Sequence, residues 1–124
     1  MPQDIIADAL NKIMNAKRAG KKNVVINRHS RLLVLFLAIA KLKGYIADYK
    51  LEGRELHVQI GKLVACCAIK PRYMVTIKEI DEYISMYLPA KNIGLIIVST
   101  SKGLMSHYTS IEKNIGGSLI AYFY

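Results

Sequence analysis

Nine consecutive apolar residues, Leu32 to Ala40, constrain this chain more than any other stretch. They stand between Ser30, a favourable helix N-cap, and Gly44, a favourable stop, so the spacing predicts a helix from Arg31 to about Lys43. Such a helix is apolar almost all round, and it needs other elements over most of its surface. Nine residues fall far short of the roughly 20 that span a bilayer. The run therefore reads as core, and the rest of the chain has to cover it.

Periodicity supplies the cover. Asp4 is a plausible N-cap for an opening helix with Ile5, Ile6, Ala9, Leu10, Ile13 and Met14 at helical spacing, ending near Ala19-Gly20. Val24-Val25-Ile26 reads as a short strand. Tyr45–Leu51 and Leu56–Ile60 read as a hairpin around Glu52-Gly53-Arg54-Glu55, with a further strand between Leu63 and Ile69. Lys70-Pro71-Arg72 breaks that strand, and Tyr73–Ile77 returns in extended form. A third helix starts near Lys78 and runs through Met86, with Glu79, Asp81 and Glu82 at its start, where the dipole favours acids. Leu88-Pro89-Ala90 ends it and marks the best internal boundary, giving segments 1–88 and 89–124. Beyond it lie a strand, a hydroxyl-rich loop, another strand, one or two helical turns between Ser106 and Asn114, and a terminal strand from Leu119 to Tyr124.

Composition decides between classes. At 52% apolar the chain is an ordered globule, since low hydrophobicity is what keeps segments disordered. Eighteen Lys and Arg against nine Asp and Glu give a net charge of +9, too large to be neutralised internally. A polyanion is the expected partner, because cations set on phosphates release condensed counterions. The adjacent pair Cys66-Cys67 suits neither a disulfide framework nor a zinc site and reads as buried small hydrophobes in a reducing compartment. No basic-then-apolar leader opens the sequence, so an intracellular protein with no membrane partner is expected.

The candidate site is the loop in Gly94–Met105. Ser99, Thr100 and Ser101 place three hydroxyls in a row beside Lys102 and Gly103, a compact set of neutral donors and acceptors next to one positive charge. That set suits sugar, base-edge and phosphate contacts. Basic residues elsewhere extend it: Lys17, Arg18, Lys21 and Lys22 around the turn after the opening helix, Arg28 and Arg31 beside Ser30, and Lys70 and Arg72 on the proline turn. Solvated helix surface is the plainer reading for Asn15 and its neighbours; the basic turn is better placed to grip a phosphate backbone.

Catalysis finds little support. His107 is six residues beyond Ser101, but no glycine stands two residues before any of the three hydroxyls, so the Gly-x-Ser-x-Gly elbow is missing. Neither a Gly-x4-Gly-Lys-Ser/Thr loop nor a Gly-x-Gly-x-x-Gly fingerprint occurs. His57 alternates with Leu56 and Val58 and projects from the opposite face, with no second metal ligand at a useful spacing. Neither a cofactor nor a small-molecule substrate nor a metal is expected.

Several motifs in order carry a family resemblance. They are Asp4-x-Ile6-Ala7-Asp8-x-Leu10-x-x-Ile13-x-Asn15-Ala16, then Ser30-Arg31 before the long apolar helix ending in Gly44-Tyr45-Ile46. Ser99-Thr100-Ser101-Lys102-Gly103 followed by Leu104-Met105 comes next, and Gly116-Gly117-x-Leu119 last. Over nearly its whole length the chain resembles the universal small-subunit ribosomal protein number eight, called S-fifteen-a in eukaryotes. Lys70-Pro71-Arg72-Tyr73 and Ala121-Tyr122-Phe123-Tyr124 look like its eukaryotic and archaeal branch. Ser110-Ile111 departs from the usual alanine and basic residue, and Ser118 stands where a charged residue is common.

The resemblance implies an α+β fold of two small subdomains: an N-terminal α/β part, and a C-terminal antiparallel sheet with a short helix. It implies a non-enzymatic constituent of the small ribosomal subunit that binds the central domain of its rRNA early in assembly. Neighbouring small-subunit proteins would be its other partners. The setting would be cytoplasmic, with assembly beginning in the nucleolus if the source is eukaryotic. Ser99, Thr100, Ser101, Lys102 and Gly103 would form the main contact, with Gly116 and Gly117 lining the same surface. Asp4, Asn15, Ser30 and Arg31 would lie in a second contact region. An alternative is a translational regulator that binds a messenger RNA mimicking the rRNA site.

Overall fold

A computed structural model of the chain describes residues 5–27, 30–69, 74–90 and 93–124. Two compact units divide it, the first ending at Cys67 and the second beginning at Ala68.

The first unit runs α1 (Ile5–Arg18), β1 (Asn23–Ile26), α2 (Arg31–Leu42), β2 (Ile46–Glu52) and β3 (Glu55–Ile60). Its strands form an antiparallel sheet with β3 in the middle. Leu56 and Val58 point to the buried face, and His57 and Gln59 to the other, as the alternation predicts. Ile6, Leu10 and Ile13 of α1 are buried, as are Leu33, Phe36, Leu37 and Ala40 of α2, Ile26 of β1 and Ile46 of β2. Both helices stop as the glycines predict. Gly20 and Gly44 adopt φ of 78° and 84°. The amides that follow turn back, Lys21 to the Ala16 carbonyl at 2.9 Å and Tyr45 to the Ala40 carbonyl at 3.2 Å.

One expectation fails here. The α2 helix is not covered all round: Leu32, Leu35 and Leu42 are 40%, 52% and 85% exposed. The reason is geometric. Positions 33, 36, 37 and 40 share one face at helical spacing, and that face alone is buried.

The second unit takes over within β4 (Cys66–Ala68). It continues with β5 (Met74–Val75), α3 (Ile77–Tyr87), β6 (Leu95–Thr100), β7 (Gly103–Ser106), α4 (His107–Glu112) and β8 (Gly117–Phe123). The β8 strand is central, antiparallel to β6 on one side and to β5 on the other, and β6 pairs in turn with β7. Ile80, Ile84 and Leu88 pack with Val75, Ile96, Val98 and Leu119 in one buried cluster. This packing puts α3 in the second unit, whereas the break at Pro89 would leave it with the first. A proline ends a helix, but the apolar face decides where the helix docks.

Thr76 opens α3. Its amide and hydroxyl both reach Glu79 Oε1, at 3.4 and 2.9 Å, so Glu79 closes the helix start by direct hydrogen bonds as well as by its charge. The two cysteines differ. Cys66 is buried with its Sγ 3.8 Å from the Leu10 carbonyl, while Cys67 is exposed, against the expectation that both are core. Burial, with the neighbouring Cys67 thiol adding to it, pushes the Cys66 thiol up to about 12.

Candidate nucleic-acid interface

The hydroxyl-rich loop is a two-residue hairpin turn. Ile97 to Thr100 pair with Ser106 to Gly103, leaving Ser101 and Lys102 at the tip. Gly103 takes φ of 109°, a conformation that side chains resist, and so permits the chain to reverse this tightly. Thr100 locks the tip from inside: its Oγ1 donates to the Gly103 carbonyl at 2.9 Å and accepts from the Lys102 amide at 3.1 Å. The Thr100 proton is therefore used within the loop. Ser101 and Lys102 are exposed and Ser99 is half-buried. Among the described residues, the Ser99 and Ser101 hydroxyls make no side-chain hydrogen bond, so both keep their donor for a partner.

Two glycines seat this hairpin. A Cβ on Gly117 would collide with the Ser99 carbonyl oxygen and lie 3.0 Å from its carbonyl carbon. One on Gly116 would collide with the Val75 carbonyl. Their lack of side chains lets β8 lie flush against β5 and against the base of the loop. The glycine pair thus has a use inside the sheet, and sequence alone could not separate that from close approach to a ligand.

The α4 helix completes the support. Ser106 caps it, accepting from the Thr109 amide at 3.2 Å. His107 then takes over where β7 ends: its Nδ1 accepts the Ile96 amide at 3.0 Å, continuing the ladder with a side chain. Tyr108 donates its hydroxyl to the Gly94 carbonyl at 3.0 Å. An Nδ1 that accepts a backbone amide leaves the proton on Nε2 of a neutral ring. Buried and so engaged, His107 holds β6 and is no base for the serines. Ser110 fills its own role, donating to the Ile115 carbonyl behind the Asn114 turn at φ of 57°.

The basic residues of the first unit line a different kind of surface. Asn15, Arg18, Lys21, Lys22 and Arg31 are exposed and Lys17 is half-buried. Lys12, Asn15, Ala16, Ala19 and Lys21 wall an open groove of about 510 Å³ with Asn23, Val24 and Val25 of the edge strand β1. Ser30 is occupied as a cap, accepting from the Leu33 amide at 3.1 Å. Asp4, Arg28, Lys70 and Arg72 lie outside the described residues. Among the described residues no three His, Cys, Asp or Glu side chains are grouped to hold a metal ion.

Comparison with known proteins places this architecture. The family described as ribosomal protein S8 matches residues 4–124. The chain is 34% identical over 127 residues to the small ribosomal subunit protein uS8A of Schizosaccharomyces pombe, with 98% of each chain covered. It is 39% identical over 126 residues to the uS8 protein of Methanococcoides burtonii, covering 98% of this chain and 97% of the relative. To that of Neurospora crassa it is 34% identical over 125 residues, covering 97% and 96%. Relatives in fungi and an archaeon fit the branch that the sequence motifs resemble, and with both chains matched almost end to end, this protein belongs to the ribosomal protein S8 family.

Proposed function

We propose that the chain is a structural constituent of the small ribosomal subunit that binds the central domain of its rRNA and supports assembly. The observation that carries this reading is the locked β6–β7 tip. It presents the Ser101 hydroxyl and the Lys102 ammonium on a backbone fixed by Thr100, Gly103 and Gly117. Such a tip suits the wide, shallow minor groove of RNA, where 2′-hydroxyls and base edges accept and donate neutral hydrogen bonds. Ser99 to Gly103, with Gly116 and Gly117, form the main contact.

The second contact lies on the first unit, through Asp4, Asn15, Ser30 and Arg31, and the basic residues Lys17, Arg18, Lys21, Lys22, Arg28, Lys70 and Arg72 are further contacts along the chain. Cations there position the protein on phosphates and add no sequence reading of their own. Neighbouring small-subunit proteins are the other partners, and the setting is the cytoplasmic subunit, with nucleolar assembly in a eukaryotic source.

Thr100→Ala combined with Ser101→Ala tests the tip. Affinity for a central-domain fragment is expected to fall by about 1–3 kcal/mol, from one lost contact, one loosened turn and the stranded RNA groups. Filter binding with the folded variant measures it, and unchanged affinity would end the loop's role.

A further inference from the structure

Between the opening helix and the edge of the first sheet lies space that the packing does not fill. A groove of about 380 Å³ is bounded by Asp8, Asn11, Lys12 and Asn15 of α1 and by Ile26 of β1. It adjoins the groove of about 510 Å³ that reaches Lys21 and Asn23, since Lys12 and Asn15 line both. Small-ligand sites have volumes of about 300–1,000 Å³. Asp8, Asn11, Lys12 and Asn15 follow one another at helical spacing, so their polar groups form one row along α1.

The row is rich in amides, and its groups are uncommitted. Asn11, Asn15 and Asn23 are exposed. Among the described residues, neither their side chains nor those of Asp8, Lys12 and Lys21 hold a hydrogen bond or an ion pair. Solvated helix surface would account for a single asparagine but not for the hollow beside it. Ala9, Ala16 and Ala19 place methyl groups where longer side chains would fill the space, next to the apolar Val24 and Ile26.

Chemistry selects the occupant. An apolar floor accepts the face of a flat ring, and an amide sets one donor beside one acceptor, the complement of the N6 amino group and N7 of adenine. Asp8 adds an acceptor for an amino group and repels the two acceptors on the same edge of guanine. Lys12 within the row and Lys21 at its end suit flanking phosphates. A protein segment would need one residue for the floor and separate acids for the lysines, whereas a nucleotide joins ring and phosphate in one unit.

We propose that this groove takes a single unpaired adenine of the bound RNA, with the Asn11 and Asn15 amides on its N6 and N7 edge and Lys12 and Lys21 on its phosphates. The assignment rests on the proposed RNA-binding function and deepens it. The cations of the first unit grip the backbone, and the amides among them read a base.

Asn11→Ala with Asn15→Ala tests the site. Both positions are exposed on a helix and alanine favours helix, so the fold is kept, as circular dichroism can check. Affinity of the whole chain for a central-domain fragment should fall about tenfold, the loss of one bidentate pair, while the slope of log affinity against log salt stays unchanged. Equal affinity, or a shallower slope, overturns the proposal. The base has its own readout, in fragments carrying 7-deazaadenine at random positions. One unpaired adenine, when so replaced, should weaken binding of the parent and have no effect on the variant. If no position is sensitive, or every sensitive position is equally so in both proteins, the proposal falls. A parent chain that does not bind the fragment at all removes the proposed function and this site with it; a parent that binds beside an unaffected variant removes the site alone.

Discussion

The two units treat their surfaces in opposite ways. In the second, the candidate site is built like a core: Thr100 closes the turn, Gly117 abuts Ser99, and His107 and Tyr108 finish the edge of β6. In the first, the candidate site is a set of mostly exposed cations, of which Lys21 lines an open groove with Asn15, and one helix face is left bare. The difference matches what each would recognise under the proposed function. A hydroxyl makes a useful hydrogen bond only within a few tenths of an ångström of the right place, so its backbone has to be fixed. A lysine acts on a phosphate as a flexible point charge and tolerates a loose setting.

Gly117→Val is the most severe way to break this contrast. The side chain has no room against the Ser99 carbonyl, so the second unit should lose about 3 kcal/mol, the upper end of the cost of overpacking. Thermal melts measure it, and a wild-type melting curve would show that the tip is not seated as described.

Alkaline titration sharpens the contrast from the other side, because the pH-sensitive thiol belongs to the first unit. The Cys66 thiol is raised from 9.0 to about 12, so its neutral form is favoured in the folded chain. Its contribution to stability is fully present below pH 9.0 and is lost as pH rises toward about 12. Denaturant melts at increasing pH should decline more steeply for the parent than for Cys66→Ala, and parallel declines would remove Cys66 from the account. At pH 8 a thiol reagent should label Cys67 well before Cys66.

The smallest expected effect is on salt dependence. Lys21→Ala with Lys22→Ala should flatten the plot of log affinity against log salt by up to about 1.4, or about 0.7 per lost phosphate contact on single strands. The Thr100 and Ser101 variant should leave that slope unchanged. If instead the slope follows the hydroxyls, the division of labour between the units is wrong.

Much of this was legible in the sequence because its signals are local. Ser30 and Gly44 bound α2, Gly20 ends α1, and the alternation around His57 assigns the faces of β3. Thr76-x-x-Glu79 is equally local, a capping box spelled out by two residue types three positions apart. What stayed hidden depends on partners far apart in sequence. The docking of α3 on Ile96 and Leu119 overrides the proline break, and the meeting of Gly117 with Ser99 gives the glycines their use. Thr100 is intermediate: its type marked the site, but only the turn geometry shows that its proton is already committed.

The seating of the tip also imposes an order in time. The β6–β7 hairpin can pair as soon as its own residues exist, but the strand that abuts Ser99 begins at Gly117, after α4 has been made. During synthesis the hydroxyls of the tip therefore emerge before the backbone that holds them in place. A chain halted at Asn114 would carry every one of those side chains and lack the strand that fixes their backbone. Seating of this hairpin is thus gated by completion of the second unit.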